Sequence, residues 1–219
     1  SFYDTERKKF IANRLLRYAK KAFRKALWQI HGGVFQPAGF EVAFGPDGEL
    51  PPVRVRLDDG RYVQITGRID RYDVCETEDA IYLRVIDYKS SDLNVSPQDL
   101  INGQSIQLVA YMDALVEGIG SKSEKAVVPV ACLYFTLGPD VRSVPNRSEV
   151  SREEEMRLKG YVINDPEVLE CVVADEEDAK TMSLRRKDEG WSVTLKGGAV
   201  PRNGFDLLRK QLHKTVKNT

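Results

Sequence analysis

A strongly apolar segment, Ala126–Leu137, constrains the fold of this chain more than any other feature. Its length and composition predict a buried strand. A helical pattern precedes it from Gly103 to Gly118, and another apolar strand, Ala80–Lys89, comes before that helix. Strand, helix and strand in this order predict a βαβ crossover between parallel strands. We therefore expect an α/β protein in which helices cover the faces of a mixed central sheet.

The chain upstream of this unit predicts antiparallel strands. Phe40–Phe44 and Val53–Leu57 alternate between apolar and polar residues, and two longer predicted strands follow, Tyr62–Val74 and Ala80–Lys89. Gly45-Pro46-Asp47-Gly48 is a turn signal, and Asp59-Gly60 is typical of a hairpin. Strands joined by short turns in this way predict an antiparallel meander.

The rest of the chain carries weaker local signals. They predict a basic N-terminal helix at Thr5–Gln29, a capping box at Ser96–Asp99 and a loop at Gly138–Val150. A polar helix is predicted at Glu153–Lys159, and a hairpin at Ser183–Val200, in which Trp191, Val193 and Leu195 alternate. The final predicted helix is Asn203–Lys217, capped by Asn203. We expect one domain over residues 1–219. The sequence does not begin with Met, which suggests a piece of a larger protein.

Composition narrows the class of protein. The chain has 219 residues, 42% hydrophobic and 30% charged, which is ordinary for a globular domain. It has no apolar run near the roughly 20 residues that span a bilayer and no signal peptide, so no membrane partner is expected. Its three cysteines, Cys75, Cys132 and Cys171, form no C-x-x-C pair, which favours a reducing, cytoplasmic setting.

The net charge is zero, but the charges are unevenly distributed. Residues 1–30 hold nine Lys or Arg against two acidic residues, whereas residues 149–189 hold thirteen acidic residues against seven basic ones. The basic residues of the N-terminal helix fit a solvated helix face, and they also fit a surface that attracts a polyanion.

The strand Ala80–Lys89 ends with two opposite charges. Asp87 and Lys89 are two residues apart, so they lie on the same face of the strand. An Asp–Lys pair in this position is often only a surface ion pair of small energetic value. The alternative is a pair of functional groups held at a fixed spacing by a rigid strand.

Neighbouring motifs favour the second alternative. Asp70 lies in GRIDRYD on the preceding strand, and Gln107 and Tyr111 are four residues apart on one face of the following helix. If the two strands are neighbours, Asp70 and Asp87 approach each other. Two adjacent carboxylates repel unless a cation joins them, and Mg²⁺ prefers oxygen ligands. Lys89 would then stabilise the charge of a phosphate substrate.

The motifs GRIDRYD, VIDYKSS and QLVAY, in this order, resemble the PD-(D/E)XK nuclease superfamily in its RecB-like branch. Within that branch the chain is most similar to the nuclease domain in the B subunit of AddAB-type helicase–nucleases. The similarity extends over roughly residues 35–217, and the upstream segment FQPAGFEVAFG is part of it. The resemblance implies a restriction-endonuclease-like core.

The resemblance also implies an activity and a set of residues. The expected function is a Mg²⁺-dependent exonuclease, in which Mn²⁺ can substitute, acting on single-stranded DNA in an ATP-dependent helicase–nuclease of double-strand-break repair and recombination. Asp70, Asp87 and the backbone carbonyl of Tyr88 would bind the metal. Lys89 would be the catalytic lysine, and Glu41 matches a further acidic position.

The substrate side of the site follows from the same resemblance. Gln107 and Tyr111 match a Q-x-x-x-Y motif and, with Arg71, are expected to contact the substrate. The implied partners are DNA and a helicase or nuclease partner subunit.

Three departures from the family pattern limit the resemblance. Many RecB-like nucleases carry a metal-binding His on a helix before the acidic motifs, but the Thr5–Gln29 helix has none, and His31 lies in a glycine-rich turn. The cysteines lack the spacing of an iron–sulfur cluster, so none is expected here. No Walker loop is present. A catalytically inactive DNA-binding or interaction module is therefore the alternative function, and an α/β domain with surface ion pairs is a third interpretation.

Overall fold

The computed structural model describes residues 6–31, 33–89, 106–136, 158–194 and 198–217. Its helices are α1 (Glu6–His31), α2 (Ile106–Gly120), α3 (Pro166–Val172), α4 (Glu176–Thr181) and α5 (Gly204–Lys217). Its strands are β1 (Gln36–Phe44), β2 (Val53–Arg56), β3 (Tyr62–Ile65), β4 (Gly67–Glu76), β5 (Ala80–Lys89), β6 (Ala126–Thr136), β7 (Lys159–Ile163), β8 (Leu184–Lys187), β9 (Gly190–Val193) and β10 (Ala199–Val200).

A mixed six-stranded sheet forms the centre of the fold, in the order β1-β4-β5-β6-β7-β10. Strands β5 and β6 are parallel neighbours joined through α2, which confirms the predicted βαβ crossover. Strands β1, β4 and β5 pair antiparallel. One large cluster of buried apolar side chains covers this sheet and includes Leu83, Val85 and Leu133. The prediction of an α/β fold with a mixed sheet flanked by helices is confirmed.

The predicted meander is wrong between β1 and β4. Strand β1 pairs directly with β4, whereas β2 and β3 form a separate two-stranded hairpin. The predicted long strand Tyr62–Val74 is interrupted at Thr66. Tyr62 and Val63 of β3 are exposed, so no buried face continues from β3 into β4. Alternation alone does not reveal this change of partner, because both segments keep the strand period.

The N-terminal helix forms as predicted, but several of its large apolar residues are not in the core. Phe10, Leu15 and Phe23 are exposed, and the smaller Ala22 and Ala26 pack against the large core cluster. Helical periodicity therefore identified the element without identifying the face that the protein buries.

The C-terminal third contains elements that were not predicted from the sequence. Helices α3 and α4 begin after Asp165 and Asp175, whose carboxylates accept hydrogen bonds from the first turn of each helix. These are ordinary N-cap signals. Lys159, predicted to end a polar helix, is instead the first residue of β7.

The predicted hairpin Ser183–Val200 is too long, because Ala199 and Val200 form β10, which pairs in parallel with β7. The β8–β9 hairpin forms and ends at Val193, and α5 begins one residue after Asn203. The predictions for Leu195, the capping box at Ser96–Asp99, the start of the helix at Gly103, the loop at Gly138–Val150 and most of the helix at Glu153–Lys159 lie outside the described residues. No helix in the described ranges is long and apolar enough to cross a membrane.

Candidate active site

The register of β4 and β5 places Asp70 and Asp87 side by side. The ladder ends with the pair Arg71↔Ile86, and the next step along it brings Asp70 opposite Asp87. Directly opposed residues of antiparallel strands point to the same face. Beyond the last backbone pair, the two strands are joined by a side chain: Asp70 Oδ2 accepts a hydrogen bond of 2.8 Å from the backbone N–H of Tyr88. Asp70 is thereby held against β5.

Asp87 is a buried carboxylate with an incomplete set of partners. It is 1% exposed, and in the described part of the chain neither of its oxygens accepts a hydrogen bond of acceptable geometry. The Nζ of Lys89 lies 2.6 Å from its Oδ2 as an ion pair. Burial raises the pKa of Asp87, the Lys89 ammonium opposes that shift, and the charge of Asp70 adds to it. A buried carboxylate without donors costs free energy unless a cation compensates it.

Helix α2 supplies a relay of polar groups to Lys89. The Lys89 ammonium donates to Gln107 Oε1 at 3.0 Å, and the Gln107 amide donates to the Tyr111 hydroxyl. The ammonium also lies 5.7 Å from the centre of the Tyr134 ring, within the range of a cation–π contact. Gln107 and Tyr111 thus lie on one helix face, as their spacing of four residues predicts, and Gln107 is the one that bonds to Lys89.

The Tyr111 hydroxyl lies in the electrostatic field of three acidic side chains of the site. Its pKa is raised above the ordinary value of 10.0, first by burial and then by the charges of Asp87, Asp70 and Glu41, while its hydrogen bond with Gln107 opposes the shift. Three acids from three adjacent strands therefore act on one hydroxyl group.

Glu41 reaches the site from β1. It lies between the pairs Phe40↔Arg71 and Val42↔Ile69, hence alongside Asp70. Its side chain is 67% exposed and lies 3.6 Å from Arg68. Its φ of 52° is in the left-handed region, which is unfavourable for a residue with a Cβ. Backbone strain of this kind occurs preferentially at functional sites.

The structure places Arg71 away from the other predicted residues. It follows Asp70 on β4, and adjacent strand residues face opposite ways, so its side chain points to the opposite face of the sheet. It is 1% exposed and bonded to Asp73, a position in which it does not reach a substrate beside Asp87. This position argues against the prediction that Arg71 contacts the substrate.

Comparison with known proteins agrees with this geometry. The family model described as the PD-(D/E)XK nuclease superfamily matches residues 2–213. The chain belongs to the PD-(D/E)XK nuclease superfamily. It is similar to proteins named as the B subunit of an ATP-dependent helicase/deoxyribonuclease: that of Clostridium acetobutylicum is 37% identical over 97% of this chain and 19% of its own length, and that of Acetivibrio thermocellus is 33% identical over 91% and 18%.

The chain therefore spans about a fifth of the length of the curated relatives it matches. The protein of the same name from Clostridium tetani is 32% identical over 97% of this chain, and the match again covers 19% of its own length. The motifs GRIDRYD, VIDYKSS and QLVAY all lie inside the range that the family model matches. The fold observed here is thus the PD-(D/E)XK fold.

Nucleases of this superfamily generally use divalent metal ions, and the residues present fit such an ion. Within the described ranges, no group of three or more His, Cys, Asp and Glu side chains is arranged to hold a metal. Among the residues that the structure describes, the buried Asp87 nevertheless has only the Lys89 ammonium close to its carboxylate, and it lies next to the Asp70 carboxylate. Two carboxylates completed by water or a backbone carbonyl suit Mg²⁺, which keeps several waters.

Two residues of the site were missed in the sequence analysis. Arg68 is two residues before Asp70 in GRIDRYD, a spacing that could have indicated a cation near the acids. Tyr134 lies under Lys89 because β5 and β6 pair as Asp87↔Tyr134. No local signal distinguishes Tyr134 from the other apolar residues of β6.

Proposed function

We propose that this chain is a divalent-metal-dependent deoxyribonuclease domain that hydrolyses phosphodiester bonds of DNA. The observation that carries the proposal is the buried Asp87 carboxylate, which faces Asp70 and has the Lys89 ammonium at 2.6 Å as its one close cation among the described residues. A structural ion pair would normally have its remaining lone pairs satisfied. The combination of unsatisfied oxygens and a poised ammonium fits a site for a cation and a phosphate.

The metal-binding residues under this proposal are Asp70, Asp87 and the backbone carbonyl of Tyr88. A bound Mg²⁺, or Mn²⁺ in its place, would neutralise charge on the scissile phosphate and lower the pKa of the attacking water. The Tyr88 amide keeps one oxygen of Asp70 engaged, which leaves its other oxygen for the ion.

Lys89 is the proposed catalytic cation. With a cation bound beside Asp87, the Lys89 ammonium would be available to stabilise the negative charge that develops on the phosphate oxygens. Gln107 limits where the ammonium can move, because its Oε1 accepts the Lys89 N–H while Tyr111 accepts from its amide. The rigid strand and the helix thus hold the charge stabiliser in reach of the reacting phosphorus.

Glu41 and Arg68 complete the proposal at the open side of the site. Both side chains are more than half exposed; Glu41 lies on β1 beside Asp70, and Arg68 lies on β4, two residues before Asp70. We propose that Glu41 is a further acidic group of the metal site and that Arg68 binds a phosphate of the DNA.

The biological setting is also a proposal. Similarity to helicase/deoxyribonuclease subunits favours an exonuclease that acts on single strands produced by a helicase, with a partner subunit in the parent complex, during double-strand-break repair and recombination. We propose a cytoplasmic location on the same basis.

The test is cleavage of end-labelled single-stranded DNA in Mg²⁺ or in EDTA. The wild-type chain should cleave only with the metal. The cleavage rate of Lys89→Ala should be lower than that of wild type by a factor of roughly 100 or more. Lys125→Ala is the matched control, because Lys125 also forms an ion pair on this sheet, with Glu76 at 2.8 Å, but outside the site. Undiminished cleavage by Lys89→Ala would refute its role. Salt-sensitive DNA binding without any cleavage would favour the inactive DNA-binding module.

A further inference from the structure

A row of polar side chains crosses five adjacent strands of the central sheet. The strand registers align one residue from each of β1, β4, β5, β6 and β7, in the order Glu41, Asp70, Asp87, Tyr134 and Lys159. Register partners on neighbouring strands point to the same face of a sheet. The row therefore extends the candidate active site beyond the acids as far as β7, where it ends on a cation.

The ring contacts of β6 agree with this assignment of faces. The ring centre of Tyr134 lies 5.7 Å from the Lys89 ammonium, so Tyr134 is on the face of the site. The next residue, Phe135, packs on its register partner Tyr88 with 5.1 Å between ring centres, on the opposite face. Because Lys159 is the antiparallel partner of Tyr134, its side chain shares the face of the site.

Lys159 lies two strands from Asp87. Neighbouring strands are about 4.8 Å apart, so the two backbones are separated by roughly 10 Å across the sheet. Lys159 is the first residue of β7 and is partly exposed, whereas the four residues that follow it in this strand are buried. A lysine carries its ammonium at the end of a flexible four-carbon stem. The Lys159 ammonium can therefore reach a phosphate that neighbours a phosphate bound at Asp87.

The order of charges along the row favours a strand of DNA lying across it. The first three positions are carboxylates, which a divalent cation would join, and the last position is a cation beyond the Tyr134 ring. A scissile phosphate held by the metal would thus have an ammonium on its β7 side. If Lys159 served only to cover the Tyr134 ring, its apolar stem would matter and its charge would not.

We propose that Lys159 binds the DNA phosphate next to the scissile phosphate, so that the substrate strand runs across the sheet from the acids towards β7. The inference rests on the proposed function, because it takes Asp70 and Asp87 as the place of cleavage. Lys159 is a substrate-binding residue in this scheme, whereas Lys89 acts on the reacting phosphate.

The experiment measures the affinity for a labelled single-stranded oligothymidylate by fluorescence anisotropy, in Mg²⁺ and over a series of NaCl concentrations. All proteins carry Lys89→Ala, whose slow cleavage leaves the DNA intact. Lys159→Gln keeps part of the stem and removes the charge. We expect it to weaken binding roughly 5-fold, the upper range for one exposed ion pair. The slope of the logarithm of affinity against the logarithm of salt concentration should become shallower by about 0.7, the contribution of one phosphate contact on a single strand.

Two further variants serve as controls. Lys159→Arg keeps the charge and should keep the parent slope. Lys125→Gln is the matched control at another site, because Lys125 is also partly exposed, at 34%, but immediately precedes β6. It is thus at the far end of that strand from Tyr134, roughly 30 Å away. We expect Lys125→Gln to bind DNA with the parent affinity and slope.

Steady-state cleavage with Lys89 intact separates binding from chemistry. Lys159→Gln should raise KM by about the factor by which it weakens binding and should leave kcat within about 2-fold of wild type. Lys89→Ala should instead lower kcat. Urea unfolding of each variant shows whether it is folded under the assay conditions, and loss of folding in Lys159→Gln would assign Lys159 to the fold instead.

The outcomes separate the phosphate contact from the proposed function. If wild type cleaves DNA and Lys159→Gln keeps the parent slope and KM, the contact is refuted and the nuclease proposal stands. Weaker binding with an unchanged slope in both Lys159→Gln and Lys159→Arg would mean that Lys159 only packs against Tyr134, which also refutes the contact. If wild type neither binds nor cleaves single-stranded DNA, the contact and the proposed function both fail.

Discussion

Two charged clusters lie on opposite faces of the same pair of strands, and they differ in how well their groups are satisfied. Behind the sheet, Asp73 receives four hydrogen bonds from Arg71 and Arg84. In front of it, Asp87 is equally buried but receives none of acceptable geometry in the described part of the chain. In the described part of the chain the rear cluster leaves one donor atom, Arg84 Nη1, without a partner, whereas the front cluster leaves carboxylate oxygens that a cation could bind. We infer that the rear cluster serves the fold and the front cluster serves chemistry.

The largest expected effect concerns the rear cluster. Asp73→Ala would leave two buried guanidinium groups without their carboxylate, which typically costs about 3–5 kcal/mol. The free energy of unfolding, measured by urea denaturation, should fall by that amount or the chain should not fold. A loss within about 1 kcal/mol, the range of an exposed ion pair, would show that the rear cluster is not structural.

The corresponding change in the front cluster should reduce DNA cleavage strongly and leave the stability of the fold unchanged or higher. Asp87→Asn keeps the shape but removes the buried charge, so at pH 7 without metal the free energy of unfolding should not fall. Cleavage of DNA should fall roughly 100-fold or more, because a proposed metal ligand and its charge are lost. Circular dichroism melting and Mg²⁺-dependent cleavage test the two halves of this statement. A large loss of folding free energy in Asp87→Asn would show that Asp87, like Asp73 of the rear cluster, has a structural role.

A smaller effect is expected at Glu41, where the backbone is left-handed. Glu41→Gly should raise the free energy of unfolding by about 1 kcal/mol, since glycine adopts this conformation without a Cβ clash. Glu41→Gln is the control, because it keeps the strain and removes the charge. We expect both variants to cleave DNA more slowly. Equal stability of wild type and Glu41→Gly would mean that the strain is relieved elsewhere.

The smallest effect is a dependence of stability on pH. Burial holds the pKa of Asp87 above the ordinary value of 3.8, so the folded chain binds this proton more tightly than the unfolded chain. Without metal, the free energy of unfolding should therefore decrease as the pH rises from about 3.8 through the raised pKa of Asp87.

The control for this effect is Asp87→Asn, which should lose that part of the slope. Asp178 also has a pKa raised by burial, but it contributes equally to both proteins, so the difference between their urea-unfolding curves in EDTA isolates Asp87. Parallel curves for the two proteins would contradict the assignment.

The sequence predicted those parts of the site that depend on local periodicity. Asp87 and Lys89 share a face because they are two apart on a strand, and Gln107 and Tyr111 share one because they are four apart on a helix. The βαβ unit was predictable for the same reason. Alternation also assigns Arg71 to the face opposite Asp70, which local periodicity could have indicated. The helix caps in the C-terminal third were likewise readable and were overlooked.

Pairings between distant segments could not be predicted in the same way. The partner of β1 is β4, not the nearer β2, and only that pairing brings Glu41 beside Asp70. The exposure of Phe10 and Phe23 on α1 is equally non-local.

The sequence by itself determined the α/β class, the order of the motifs and the spacing of groups within each element, because backbone geometry makes these local. Only the tertiary structure decided which acids meet, which charges are satisfied and which face is buried. These outcomes depend on register and packing between segments far apart in the chain, which local periodicity does not encode.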